Sequence, residues 1–142
     1  MAYEEAIRSI TLKADASLAT YTGVPGQPGS ADPNGGKQYR FVKATSTAAT
    51  CALADATTNE LVVGVVQNKP QYTGAAATVA IRGVSKVEAG TGGVAAGDGI
   101  KVDGTIDGTG ITATPGTDAA LIVGIALGAA SAGQLFPCLL RI

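Results

Sequence analysis

TVAIRGVSKVEA, residues 78–89, alternates along its length. Val79, Ile81, Gly83, Ser85 and Val87 fall on one side, and Arg82, Lys86 and Glu88 on the other. A period of two is that of a half-buried β-strand, because successive side chains leave opposite faces of the chain. GTGGVAAGDG (90–99) follows, and its glycines raise the question of a phosphate cradle. A Walker loop needs a lysine followed by Ser or Thr, whereas the nearest lysine, Lys101, is followed by Val102. A dinucleotide fingerprint needs a third glycine where Ala95 stands, and then a helix, but GIKVDG (99–104) reads as another strand. The stretch is a strand, a turn and a strand.

Working outward, the same grammar repeats. QYRFVKATS (38–46), the weaker TAATCALADATTN (47–59), LVVGVVQN (61–68), ITAT (111–114), ALIVGIALG (120–128) and QLFPCLLRI (134–142) are further strand candidates between turn residues. The expected fold is all-β, a small single-domain barrel or sandwich of about seven or eight short strands. LVVGVV (61–66) and LIVGIA (121–126) share one pattern, and each precedes a short loop and another strand, which suggests two similar hairpins. Both are apolar on both faces, so something must cover the second face: another subunit, or loops of the same chain. On the last strand Phe136, Cys138, Leu140 and Ile142 share the core side, and Leu135 and Leu139 the other. Pro137 lacks a backbone donor, which suggests an edge position for that strand.

At the N-terminus Ile10, Leu12, Ala14, Ala16 and Leu18 alternate with polar residues, as in a strand or an arm laid across a partner. TGVPGQPGSADPNGGK (22–37) is a loop rich in proline and glycine. Residues 1–37 are therefore expected as an extended arm and loop, and 38–142 as the barrel body.

Composition narrows function. Ten Lys and Arg against eleven Asp and Glu give a net charge of -1, and the cations are scattered along the sequence. That lacks the clustered footprint of nucleic-acid binding. No signal peptide and no membrane-spanning run is expected: the most apolar window, 119–133, is too short and is broken by glycine. Synthesis and retention in a cytosol, or release by lysis, fits. There is no histidine, no nucleophile has a visible base, and no cofactor or metal site is expected. Asp98, Asp103 and Asp107 lack the closing glutamate of a calcium loop and read as turn residues. Cys51 and Cys138 would stabilise the fold by about 4–5 kcal/mol if bridged, but read as small buried hydrophobes. The chain is not expected to be an enzyme.

ELVVGVVQNKP, VAIRGVSKVEAG, VAAGDGIKVDG and LIVGIALGAASAG, in this order and followed by a short apolar strand, resemble the capsid decoration (cement) proteins of tailed bacteriophages over residues 38–142. The resemblance implies a β-barrel on the outer surface of a phage head, a homo-oligomer with the trimer favoured, and the major capsid protein as partner. Its role would be capsid stabilisation by bridging neighbouring coat subunits, with no nucleic acid or membrane bound. The expected capsid contacts are Tyr3, Ile7, Ile10, Leu12 and Leu18, and the expected subunit contacts Val63, Leu135 and Leu139; the competing reading makes these residues core. Alternatives for the whole chain are a tail or fibre subunit, or a carbohydrate-binding β module. Four tyrosines, two phenylalanines and no tryptophan disfavour the last, since sugar sites use aromatic platforms.

Overall fold

The computed structural model describes residues 7–19, 37–55 and 62–142. Among these residues the chain forms nine strands: β1 (Arg8–Ala14), β2 (Phe41–Ala44), β3 (Thr50–Leu53), β4 (Val62–Val66), β5 (Ala76–Glu88), β6 (Gly99–Val102), β7 (Gly110–Thr112), β8 (Gly124–Ala126) and β9 (Leu135–Leu140). They run in the order β1-β3-β2-β4-β5-β9-β8-β6-β7, and β1 pairs again with β5. That second pairing closes five strands into a barrel, so the all-β expectation holds.

β5 organises the rest. Its 13 residues serve two sheets: the first half pairs with β1 and β4, the second half with β9. The second group of strands curls back on the same strand. Ala89 bridges Gly110 in parallel, and the Gly90 amide donates to the Gly110 carbonyl at 2.8 Å. Two lobes therefore share one strand.

The expected alternation of β5 is interrupted where it changes sheets. Arg8 pairs with Arg82 but Ser9 pairs with Ala80, which leaves Ile81 as the extra residue of a β-bulge. Two residues on, Gly83 has φ +99, a conformation that side-chain-bearing residues rarely adopt. The bulge shifts the phase. Ala77 and Val79 fill the first lobe's core, while Ala80 and Val87 belong to the second. Val79 and Val87 thus lie in different cores, although strict alternation places them on one face.

This phase shift answers what covers the apolar strands. Val42 and Val66 point into the first core, and their neighbours Phe41 and Val65 into the second. The cover for β4 is thus the other lobe of the same chain, and neither a second subunit nor a loop is required there. The two similar hairpins are β4–β5 and β8–β9, one in each lobe. Each shared glycine lies close against the next strand. A Cβ on Gly64 would collide with the Ala80 carbonyl oxygen, and one on Gly124 would stand 2.5 Å from Cys138 Sγ and 2.8 Å from the Leu139 oxygen.

Three further expectations change. Residues 8–14, assigned to an extended arm, are a barrel strand antiparallel to β5 and, at Lys13 and Ala14, parallel to β3. Residues 120–128 are not one strand: a 3-10 turn at Ala119–Leu121 precedes the short β8. And β9 is not at an edge, since β5 and β8 flank it. Pro137 is tolerated because Leu127 donates to its carbonyl at 2.8 Å, one residue past the end of β8, where no amide need be returned. The opening glycine-rich stretch makes turns between β5 and β6, as expected. Gly93 there has φ +73, and a Cβ would stand 2.5 Å from the Ala130 oxygen.

The cysteines are free and buried in different cores, Cys51 in the first and Cys138 in the second. Burial, with the nearby Asp15 charge adding to it, pushes the Cys51 thiol up to about 11, and burial pushes Cys138 up to about 12. Neither forms appreciable thiolate at pH 8, so Ellman's reagent should label the native protein slowly, and both thiols promptly in denaturant. Fast native labelling of either would contradict this burial. In the same fold Gly64→Ala should lower Tm by about 3–10 °C, as overpacking costs about 1–3 kcal/mol. Gly99→Ala should lose less, because its Cβ meets only the flexible end of Ile122 at 3.1 Å.

Candidate interaction surface

Strand register decides which side chains share the outer face of the second lobe. Val84 lies opposite Leu139, and Leu139 opposite Ile125, giving one row across β5, β9 and β8. The next row sets Lys86 beside Pro137, and the next Glu88 beside Leu135. Val84, Leu139, Ile125 and Pro137 are half-buried, whereas Leu135 is 46% exposed. The opposite side of β9 carries Phe136, Cys138 and Leu140, all core. The two-sided reading of the last strand therefore holds for those five residues, while Ile142 is exposed at the end.

The expected contact residues do not form one patch. Leu135 and Leu139 lie together on this outer face, with Ile7 close by: Ile7, Val84 and Pro137 line one groove of about 370 Å³ with Tyr39, Gln67 and Lys86. Ile10 is 37% exposed on β1, before that strand meets β3. Leu12 packs against the first core, and Leu18 is fully buried in it. Leu18 is thus a core residue: the turn after β1, in which Asp15 accepts from the Ser17 amide and hydroxyl, brings the chain back over the barrel. Val63 is half-buried, unpaired in a bulge between the Gly64–Val42 and Val62–Lys43 pairs, and is not among the residues lining that groove. Tyr3 lies outside the described residues.

Polar contacts also fix this face. Arg40 donates through Nε and Nη2 to the Glu88 carboxylate at 3.0 and 2.9 Å, and through Nη1 to the Asp107 carbonyl at 3.0 Å. One side chain thereby joins the approach to β2, the end of β5 and the β6–β7 loop; the two-point geometry suits guanidinium and carboxylate. Tyr39 holds a left-handed backbone, φ 59, that few non-glycine residues adopt. Its amide donates to Val66, its carbonyl accepts from Glu88, and the Lys86 ammonium stands 5.9 Å from its ring centre. The groove is consequently preformed. Sequence alone offered no signal for Tyr39, because the strain arises where two lobes meet.

The aspartates act locally. Asp98 accepts from the Thr112 hydroxyl at 2.6 Å and the Ala95 amide at 2.9 Å, which together hold its carboxyl below the usual value. Burial alone would raise Asp103, but hydrogen bonds from the Thr91 and Thr105 amides outweigh it and lower that carboxyl too. Lys101, at 2.8 Å, and the Thr114 amide lower Asp118. These are turn-fixing roles, as the sequence suggested for Asp98 and Asp103.

With this geometry in view, comparison with known proteins is informative at one level. Neither a protein-family model nor a curated protein sequence matches the chain. Among solved structures, the N base of head fibre gp8.5 of bacteriophage phi29 is similar, with a TM-score of 0.63 at 16% identity. The two chains share a fold. The likeness covers 96% of this chain and 95% of that one, so it takes in both lobes and not a common hairpin.

The carboxyls give a pH prediction. All three bind protons more weakly folded than unfolded, so their contribution to stability is complete above the ordinary aspartate value near 3.9 and is lost as pH falls below it. Asp103→Asn turns an amide group toward one of two backbone donors and should cost about 1–3 kcal/mol at pH 7. Its denaturant midpoint should also depend less on pH in the acid range than the parent's. Equal midpoints at pH 7 would refute this role for Asp103.

Proposed function

We propose that this chain is a structural subunit of a phage virion, seated on the outside of the head and acting without catalysis. The observation that carries the reading is the likeness of fold to a head-fibre base over nearly the whole of both chains. The finer reading is decoration: the chain binds the major capsid protein as a homotrimer and bridges neighbouring coat subunits. Leu135 and Leu139, on the apolar outer face, serve the contact between copies, and Ile7 and Ile10 the capsid side. The mechanism is passive. A protein that binds the closed shell, and not its separated subunits, stabilises the shell by mass action, and several linked contacts act at high effective concentration. A second reading, the base of a fibre standing on the head, is favoured by the same likeness, since the similar structure is itself a head-fibre base.

Quantitative mass spectrometry of purified particles, with thermal rupture of heads made with and without the chain, separates these readings. Decoration predicts a copy number comparable to that of the coat protein, and shells that rupture several degrees lower without the chain. A copy number far below the coat's, with unchanged shell rupture, would favour the fibre base. Absence from particles would overturn both.

A further inference from the structure

One edge of the outer face carries an arrangement that folding alone does not favour. Arg8 and Arg82 are paired across β1 and β5. Gly83 and Leu140 are the last pair of the β5–β9 ladder, and Arg82 and Arg141 are the next residues beyond it, which brings Arg141 near the Arg8–Arg82 pair. The Arg141 amide donates to Val123 at 2.9 Å, which keeps the chain extended there, and alternation along β9 turns its side chain outward with Leu139. All three arginines are exposed. Ion pairs join Arg40 to Glu88 and Lys101 to Asp118, but none of the three has an acidic partner among the described residues.

Like charges directly opposite one another across strands weaken a sheet. A chain with ten cations in 142 residues nevertheless sets two of them opposite each other and a third close by. The adjoining row is Val84, Leu139 and Ile125, and the row after that brings Lys86 beside Pro137. The face thus presents a line of guanidinium groups along an apolar strip. Guanidinium groups bind carboxylates at two points and lose little hydration in doing so, and the apolar strip suits a partner whose acids lie beside apolar residues. Nucleic acid fits less well, because it would leave the apolar rows unused and Tyr39 is the one aromatic side chain lining the adjoining groove, where base stacking uses several.

We infer that the Arg8–Arg82–Arg141 row, with the Val84, Leu139 and Ile125 strip, is the docking face for an acidic, apolar-flanked segment of the coat protein, which moves Leu139 from the contact between copies to the capsid side and leaves Leu135 to the former. This rests on the head-surface reading above and names the chemistry of its partner.

The test compares the parent with the triple variant Arg8→Gln, Arg82→Gln, Arg141→Gln, using Lys69→Gln as a control cation off this face. Binding is measured to heads assembled without the chain and, separately, to immobilised polyglutamate. The triple variant should bind heads about 10- to 100-fold more weakly in low salt, with less dependence on salt. Its Tm should equal or exceed the parent's, because removing opposed like charges relieves the fold, and Lys69→Gln should match the parent throughout. The inference is overturned by a triple variant that binds heads as the parent does, or by one whose Tm falls by several degrees, which would make the arginines part of the fold. A Tm loss of that size on Glu4→Gln, Glu5→Gln would likewise overturn it, by supplying partners within the chain. Displacement from heads by duplex DNA rather than by polyglutamate would replace the carboxylate partner with phosphate, and so also counts against it. A parent that ignores heads altogether sinks the head-surface reading instead. Polyglutamate binding by the parent and not by the triple variant would then still establish the carboxylate preference of the row.

Discussion

Everything in this molecule hangs on β5 being long enough to belong to two sheets. A strand of 13 residues is more than a small barrel needs, and its twist would carry the far end out of register with the first lobe. The Ile81 bulge absorbs that misfit by turning the strand and moving its phase by one residue. Gly83 then lets the backbone pass from the β1 and β4 pairings to β9 in a conformation closed to most residues. Without the bulge, the face that holds Val79 in the first core would hold Val87 as well, and the second lobe would meet the face of Arg82, Lys86 and Glu88 instead.

The same phase shift explains how a chain rich in alanine, with little aromatic area, makes a core. β2, β4 and β5 are used on both faces, one in each lobe, so each short strand buries two sets of side chains. Phe41 and Phe136, the two phenylalanines, both lie in the second cluster, where the lobes meet. Close approach is the corollary. Gly64 and Gly124 stand where a neighbouring strand's backbone comes too near for any side chain, which is why the LVVGVV and LIVGIA patterns each break at glycine.

Local pattern made much of this legible. Alternation identified β5 and both faces of β9, turn residues separated the strands, and the doubly apolar runs required a cover on each side. What the pattern could not carry is pairing between distant parts of the chain. That residues 8–14 close a barrel depends on β3 and β5, far along the sequence, and an alternating strand looks the same whether its partner is its own chain or another. Leu18 became core for that reason. The bulge escaped notice because Ile81 differs from a regular strand residue only in its partner, and Pro137 misled because an inner strand can spare a donor where its neighbour ends. Leu135 and Leu139 could be placed on the surface because that inference needed nothing beyond the two-residue period. The arginine row could not, since its members come from three strands and become neighbours only through register.

That row also shows why stability and attachment need not favour the same residues. An acidic side chain opposite Arg82, in place of Arg8 or Arg141, would give a cross-strand ion pair and a firmer sheet. It would also neutralise the guanidinium in the free protein, and a partner's carboxylate would have to displace it. Three arginines with no acidic partner among the described residues keep their donors available, at a small cost to a sheet already anchored by the Arg40–Glu88 pair. Exposed charges of this kind act over roughly 8–10 Å in physiological salt, far enough to orient an approaching surface before contact. The Val84, Leu139 and Ile125 strip acts only once water is expelled, so charge governs the angle of approach and apolar area the residence that follows.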